Sequence, residues 1–255
     1  MRKSRMFLLV LLLVLFGGGL YLWFLPAETG YRLIASRIAP ASLSGVHGTA
    51  WDGHADGVSV LGNDLGALDW HLSKVSLLAG KPQVELRIAG SDLDLAGVVE
   101  RRDGALRVQD LRFTVPAAWL QGLLDNPGIR LGGAVRGHLA AATLSRAGLA
   151  QVRGDAQWRD VDIASAQGEV KFSGLSAEFS SQDDGSIAGS FKDDGSGALE
   201  VNGSFVLRRP NYEAQASLRA RHADAQVEQL LSGVGERQAD GSTRVQVQGS
   251  LLRTF

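Results

Sequence analysis

Apolar and polar residues alternate with a period of two along most of this chain. Leu68, Trp70 and Leu72 alternate with Asp69, His71 and Ser73, and Val84, Leu86 and Ile88 with Glu85 and Arg87. Such alternation marks strands with one face buried. Leu93, Leu95, Val99, Leu106 and Val108 continue it. At Asp110-Leu111 the phase slips, and Leu111, Phe113 and Val115 run one residue out of step, as a β-bulge produces. Arg102-Asp103-Gly104 reads as a tight hairpin turn. Further strands follow at Ile129, Leu131, Val135 and Leu139, then at Val152, Gly154, Ala156 and Trp158. Val170 and Phe172 lead through a second slip to Leu175, Ala177 and Phe179. Ile187 to Phe191 lies between the turns Asp183-Asp184-Gly185 and Asp193-Asp194-Gly195. Leu199, Val201, Phe205 and Leu207 turn at Arg209-Pro210-Asn211 into Tyr212, Ala214, Ala216 and Leu218. Asp240-Gly241 opens a last strand through Val245, Val247, Gly249 and Leu251.

Helical spacing interrupts this pattern. Pro116 suits a first helical turn, and Trp119, Leu120, Leu123 and Leu124 make one apolar face. A second helix is expected over about Ala223 to Leu231. The spacing of Tyr31, Ile34, Ala35 and Ile38 predicts either a continuation of a preceding span or a short amphipathic helix near a membrane. The expected fold is mainly β: an antiparallel curved sheet or sandwich with two short helices, preceded by one N-terminal transmembrane helix. The element order of 84–139 recurs over 199–251, which as a repeat implies two similar β-rich halves.

The exception to alternation is Phe7 to Leu25, 19 residues without a charge. A helix needs roughly 20 apolar residues to cross a bilayer. Arg2, Lys3 and Arg5 precede the run and hold the short N-terminal side in the cytoplasm. The expected organisation is a basic tail at 1–6, an anchor at 7–25, a juxtamembrane segment at 26–42 and a β-rich domain across the membrane at 43–255. A cleaved signal peptide shares the basic start. The length of the run, and an exit reading Trp23-Phe24-Leu25-Pro26 with no small-x-small site, favour an anchor. Gly17, Gly18 and Gly19 offer a close helix–helix face and leave a homo-oligomer open; a passive span is the simpler reading.

The net charge of -1 gives no reason to expect nucleic acid as a partner. There is no cysteine, which removes disulfides, thiol catalysis and thiolate metal sites. Abundant glycine, 32 residues against 6 prolines, fits strands with tight turns. The histidines are His47, His54, His71, His138 and His222, in no ligand pattern, and they are read as structural or surface groups. The two Asp-Asp-Gly turns lack the ligand ladder of a calcium loop. Ser180, Ser181 and Ser186 have no base visible in sequence. No phosphate-binding or nucleophile-elbow motif stands in the chain. The chain is expected not to be an enzyme, with no catalytic residue, cofactor or metal. Gly133, Gly137 and Ala141 in one register would leave a groove for an acyl chain, but strand faces more often pack against one another in a sandwich.

The segment Leu43-Ser-Gly-Val-His-Gly-Thr-Ala-Trp-Asp-Gly reads as a glycine-marked strand with Trp51 as a large buried ring over small neighbours; with the strand at 68–72 and Leu77-Leu-Ala-Gly80 it completes the layout. This layout resembles protein N of the bacterial type II secretion system, with Gly48, Trp51, Gly53 and Trp70 as the sharpest residues. The resemblance implies a bacterial inner-membrane protein with a periplasmic domain. It would be non-enzymatic, would contact other secretion subunits of the inner-membrane platform, and would support export of folded proteins across the outer membrane. In Gly48, Trp51, Gly53 and Trp70 it implies structural positions. The layout also resembles periplasmic lipid-bridge proteins of the AsmA type, whose implied role is lipid binding or transfer. Outside residues 43–53, no motif separates the two.

Overall fold

The computed structural model describes residues 24–250, apart from 61, 122–127, 129, 146–147, 166–167, 223–226, 229–230, 232 and 234. The expected anchor therefore lies outside the described residues, except for Phe24 and Leu25. The chain divides into two compact units between Ser91 and Asp92.

Among the described residues the first unit begins with a helix, α1 (Ala27–Ile38). A four-stranded antiparallel meander follows: β1 (Ala41–Gly48), β2 (Asp52–Val60), β3 (Asn63–Leu72) and β4 (Gln83–Ala89). A five-residue helix, α2 (Lys74–Leu78), sits between β3 and β4. Helix α1 contains the helical spacing at 31–38 but begins four residues earlier, because Pro26 takes the capping position rather than merely ending what precedes it. Glu28 in its first turn and Arg37 in its last complement the helix dipole. The helix lies along the outer edge of β1, where the Tyr31 hydroxyl accepts a hydrogen bond from the Leu43 N–H at 3.1 Å. One donor of an edge strand is thus satisfied and covered. Ala55, Val58 and Leu65 are buried within the unit.

Two expectations for this region are corrected. Residues 43–53 are not one glycine-marked strand but the hairpin of β1 and β2. Trp51 is not a buried ring: it sits half-exposed in the turn, with the Lys74 ammonium 5.6 Å from the ring centre. Helix α2 was not among the helices expected. Ser73 caps it, its Oγ accepting from the Ser76 N–H at 3.3 Å. One turn is too short for a helical period to show in sequence.

The second unit is a ten-stranded antiparallel sheet: β5 (Asp94–Arg102), β6 (Ala105–Pro116), β7 (Arg130–Ser145), β8 (Gly148–Ser165), β9 (Gly168–Ser181), β10 (Ile187–Asp193), β11 (Leu199–Arg208), β12 (Asn211–Ala220), β13 (Glu236–Arg237) and β14 (Thr243–Ser250). Spatial order follows chain order to β12, then β14 and β13. Asp103 and Gly104, at φ of 53° and 77°, make the two-residue turn between Arg102 and Ala105. The first expected slip is a bulge at Asp110, φ 49°, where the register with β5 steps between Ala96 and Val98. The second, between Phe172 and Leu175, is matched on β8 between Trp158 and Val161, where Asp160 has φ of 51°. Helix α3 (Ala117–Gln121) follows Pro116 and packs on β7. Most of the helix expected over 223–231 falls outside the described residues.

Each unit is a single sheet. Among the described residues, strand faces do not pack against a second sheet within either one, so the sandwich alternative gives way to the sheet one. The reason is topological: nearly every connection joins a strand to its immediate neighbour, and the chain does not cross over to start a second layer.

One face of the second sheet is apolar from strand to strand. Paired positions Phe113, Gly137, Ala156, Ala177, Phe191, Gly203, Ala216 and Val245 form one row across it. Leu139, Ala142, Val152, Phe179, Ile187 and Leu207 pack together beside it. Within these rows aromatic rings lie over glycines of adjacent strands: Phe113 over Gly137, Phe191 over Gly203, Phe205 over Gly189 and Tyr212 over Gly249. The glycine removes the Cβ that the ring would strike, and the ring in turn covers the bare backbone.

Candidate functional site

The turn between β1 and β2 joins Leu25 and Pro26 to the first sheet. Gly48 ends β1 at φ +83°, where a Cβ would stand 2.6 Å from the Asp52 carbonyl oxygen. Only glycine fits there. Thr49 closes the turn. Its N–H donates to the Asp52 carbonyl at 2.8 Å, and its hydroxyl oxygen accepts from the Asp52 N–H at 3.0 Å. The Ala50 N–H donates to the Leu25 carbonyl at 2.8 Å, and Thr49 bridges to Pro26. On the other side the Leu72 N–H donates to the Trp51 carbonyl at 2.6 Å. Trp70 lies over Gly53, its register partner, and its Nε1 donates to the Ala50 carbonyl at 3.2 Å. Of the four residues singled out in sequence, Gly48, Trp51, Gly53 and Trp70, all stand in or against this one turn. What sequence reasoning missed is the partner: Leu25, Pro26 and Thr49, whose contacts are made by backbone and leave no periodic signal.

The histidines of this unit form a polar row with aspartates. His47 Nε2 lies 3.2 Å from an Asp56 carboxylate oxygen, and His54 Nδ1 lies 2.7 Å from Asp69. His71 pairs with Asp52. In the second unit His138 Nε2 lies 2.8 Å from Asp110. These histidine and aspartate side chains are 38–65% exposed, so the pairs are surface ones. His222 is exposed. Among the described residues no three His, Asp or Glu groups converge to hold a metal ion.

The acidic turns spend their carboxylates on themselves. Asp184 accepts from the Ser186 hydroxyl at 2.5 Å and from its N–H at 2.9 Å. Asp194 does the same with Ser196, and Asp240 with Ser242. The serine hydroxyl first, and then the serine N–H, hold each of these three carboxyls below its ordinary range. Asp193 is different, its side chain being largely enclosed. Burial works to raise its pKa, but the Val201 and Gly195 N–H groups and the Arg221 guanidinium outweigh it and hold the carboxyl low.

The groove expected along Gly133, Gly137 and Ala141 is not formed by those residues. Register steps flank both ends of the series, and Gly133 lies in a bulge at φ +86°. Of the three, Gly137 alone belongs to the apolar row, and the Phe113 ring fills the space its missing side chain leaves. An open depression of about 850 Å³ lies on the polar face of β8–β10, where Arg153 stands among Asp155, Gln157 and Glu178.

Fold and turn together define a mainly antiparallel β protein whose helix α1 is stitched to its first hairpin. A profile of the family "Type II secretion system (T2SS), protein N" matches residues 39–246. The chain belongs to that family. It is 34% identical over 130 residues to the type II secretion system protein N of Aeromonas hydrophila, an alignment covering 51% of this chain and 50% of that protein. The match thus spans about half the length of that curated relative. No solved structure matches.

Proposed function

We propose that the protein is a non-enzymatic inner-membrane component of the type II secretion system that supports export of folded proteins across the outer membrane. The observation that carries this reading is the family match over 39–246. The run Phe7 to Leu25 anchors the chain once in the bacterial inner membrane, and the β-rich part stands in the periplasm. Gly48, Trp51, Gly53 and Trp70 are the structural motif of this arrangement: they hold the hairpin to which the emerging chain is tied. Contact with other subunits of the inner-membrane platform runs through sheet edges. The β1 edge is partly taken by α1, whereas Val245–Ser250 of β14 pairs only with β12 among the described residues. Deleting the gene is expected to weaken secretion of folded exoproteins, with restoration by the full chain; an unchanged secretome under secretion-dependent growth overturns the reading. Photoreactive groups at Asp103, Asp184 and Asp240 in intact membranes would locate the partners.

One observation favours a second reading, lipid binding of the AsmA type. The apolar face of the second sheet carries a row from Phe113 to Val245 with no hydrogen-bonding side chain, and among the described residues no second sheet of that unit covers it. Hydrocarbon needs no hydrogen bonds, whereas protein interfaces average about one per 100–200 Å². Mass spectrometry that finds no acyl lipid in gently extracted protein tells against it.

A further inference from the structure

We propose that α2 is a second membrane contact, which seats the first unit on the bilayer beside the point where the chain emerges. The proposal rests on the anchor reading above. Val75 is 77% exposed and Leu78 88% exposed, with Leu77 beside them at 42%. These are adjacent large apolar side chains on one turn of helix, turned to solvent in a unit that has its own buried core. Lys74 opens the helix and Lys81 follows it. Apolar tips with flanking ammonium groups suit an anionic phospholipid surface. The side chains enter the headgroup and acyl boundary, while the lysines stay with the phosphates.

Position selects the bilayer over another occupant. Leu25 ends the 19-residue uncharged run and is bonded to Ala50; the next residue, Trp51, is bonded to Leu72, two residues before α2. Two such steps across paired chains are about 10 Å, at roughly 4.8 Å each. A chain leaving the membrane at Leu25 therefore brings α2 to the same surface. Phe24, 63% exposed, lies at that exit. The β2–β3 turn, near Asp64, lies at the opposite end of the same strands.

The absence of cysteine makes the test direct. Full-length Leu78→Cys and Asp64→Cys proteins, each carrying an environment-sensitive fluorophore, are placed in nanodiscs of phosphatidylcholine and phosphatidylglycerol containing a doxyl-labelled lipid. The expected result is blue-shifted emission and several-fold stronger quenching at 78 than at 64. Adding Val75→Ser and Lys81→Glu to Leu78→Cys should reduce that quenching while the protein stays in the disc. Equal quenching at 78 and 64 in disc-bound protein overturns the proposal and leaves the anchor reading standing. Protein that does not remain with the discs overturns both. A label at 78 that is unquenched by lipid yet crosslinks to another protein in native membranes assigns the patch to a protein, and also overturns it.

Discussion

The Trp70 ring lies against the bare α-carbon of Gly53, so closely that a Cβ there would fall 2.0 Å from Cζ2 of the indole. The three nearest atoms all belong to the ring, the end of a side chain that can shift. Gly53→Ala should therefore be tolerated at the cost of a displaced indole and a lost Nε1 bond to Ala50, destabilising by about 1–3 kcal/mol. Trp70→Leu combined with Gly53→Ala should recover part of the loss, because the clash is then gone. Thermal unfolding of the four members of this cycle measures the coupling; strict additivity would mean that the pair does not interact.

Gly203 presents a harder case of the same pairing. A Cβ there would stand 2.2 Å from Cζ of Phe191 and also 2.5 Å from the Gln215 carbonyl oxygen. A ring can rotate away, but a ladder carbonyl cannot move without breaking β11 from β12. Gly203→Ala should cost about 3 kcal/mol or more, and Phe191→Leu should not rescue it. Comparison of its melting temperature with that of Gly53→Ala checks the order.

Asp193 and Arg221 form the most enclosed ion pair described, with Asp193 at 5% exposure and Arg221 at 26%. Asp193 also accepts from the Val201 and Gly195 N–H groups. Its pKa is lowered in the folded state, so its stabilising effect is full above the unfolded carboxylate range near ~3.9 and is lost as pH falls through the lower folded value. Asp184, Asp194 and Asp240 act in the same direction. The protein should lose stability in acid, below about pH 4. Asp193→Asn should cost about 2 kcal/mol near neutrality, less than the ~3–5 of breaking a fully buried pair, and should flatten part of the acid slope. Melting temperatures of both proteins across that range decide it.

How much of this was legible in the sequence depends on how each feature is written there. Strands and turns were, because one-sided burial imposes a period of two and Asp103-Gly104 can hardly be anything but a tight turn. The bulge at Asp110 showed as a phase slip, since an extra residue must shift every later side chain. The 43–53 hairpin was misread as one strand because its turn is built by Thr49 and backbone groups, without the Asp-Gly or Asn-Gly signature. Helix α2 was missed because one turn has no period. The proposed groove failed on register: equal spacing of Gly133, Gly137 and Ala141 assumes an unbroken strand, and β7 is broken by register steps on both sides of Gly137. The site was half visible, in that Gly48, Trp51, Gly53 and Trp70 do converge, while the chain segment they receive could not be read from side chains.

Thr49 tests whether that turn governs the entry of the chain. Its hydroxyl bonds both the N–H and the carbonyl of Asp52, and its neighbour Ala50 holds Leu25. Thr49→Val keeps the branched shape and removes the hydroxyl, so the loss should be close to that of one or two hydrogen bonds, about 1 kcal/mol. The global melting temperature should fall little, because the ladder of β2 and β3 does not depend on the turn. Local opening should rise instead: the Ala50 and Gly30 amides, bonded to Leu25 and Pro26, should exchange several-fold faster, while amides at 68–71 in β3 keep their protection. Uniform acceleration across all of these amides would show that the turn has no separate role in tying α1 to the sheet. Selective acceleration would show that the motif and the emerging chain form one clamp.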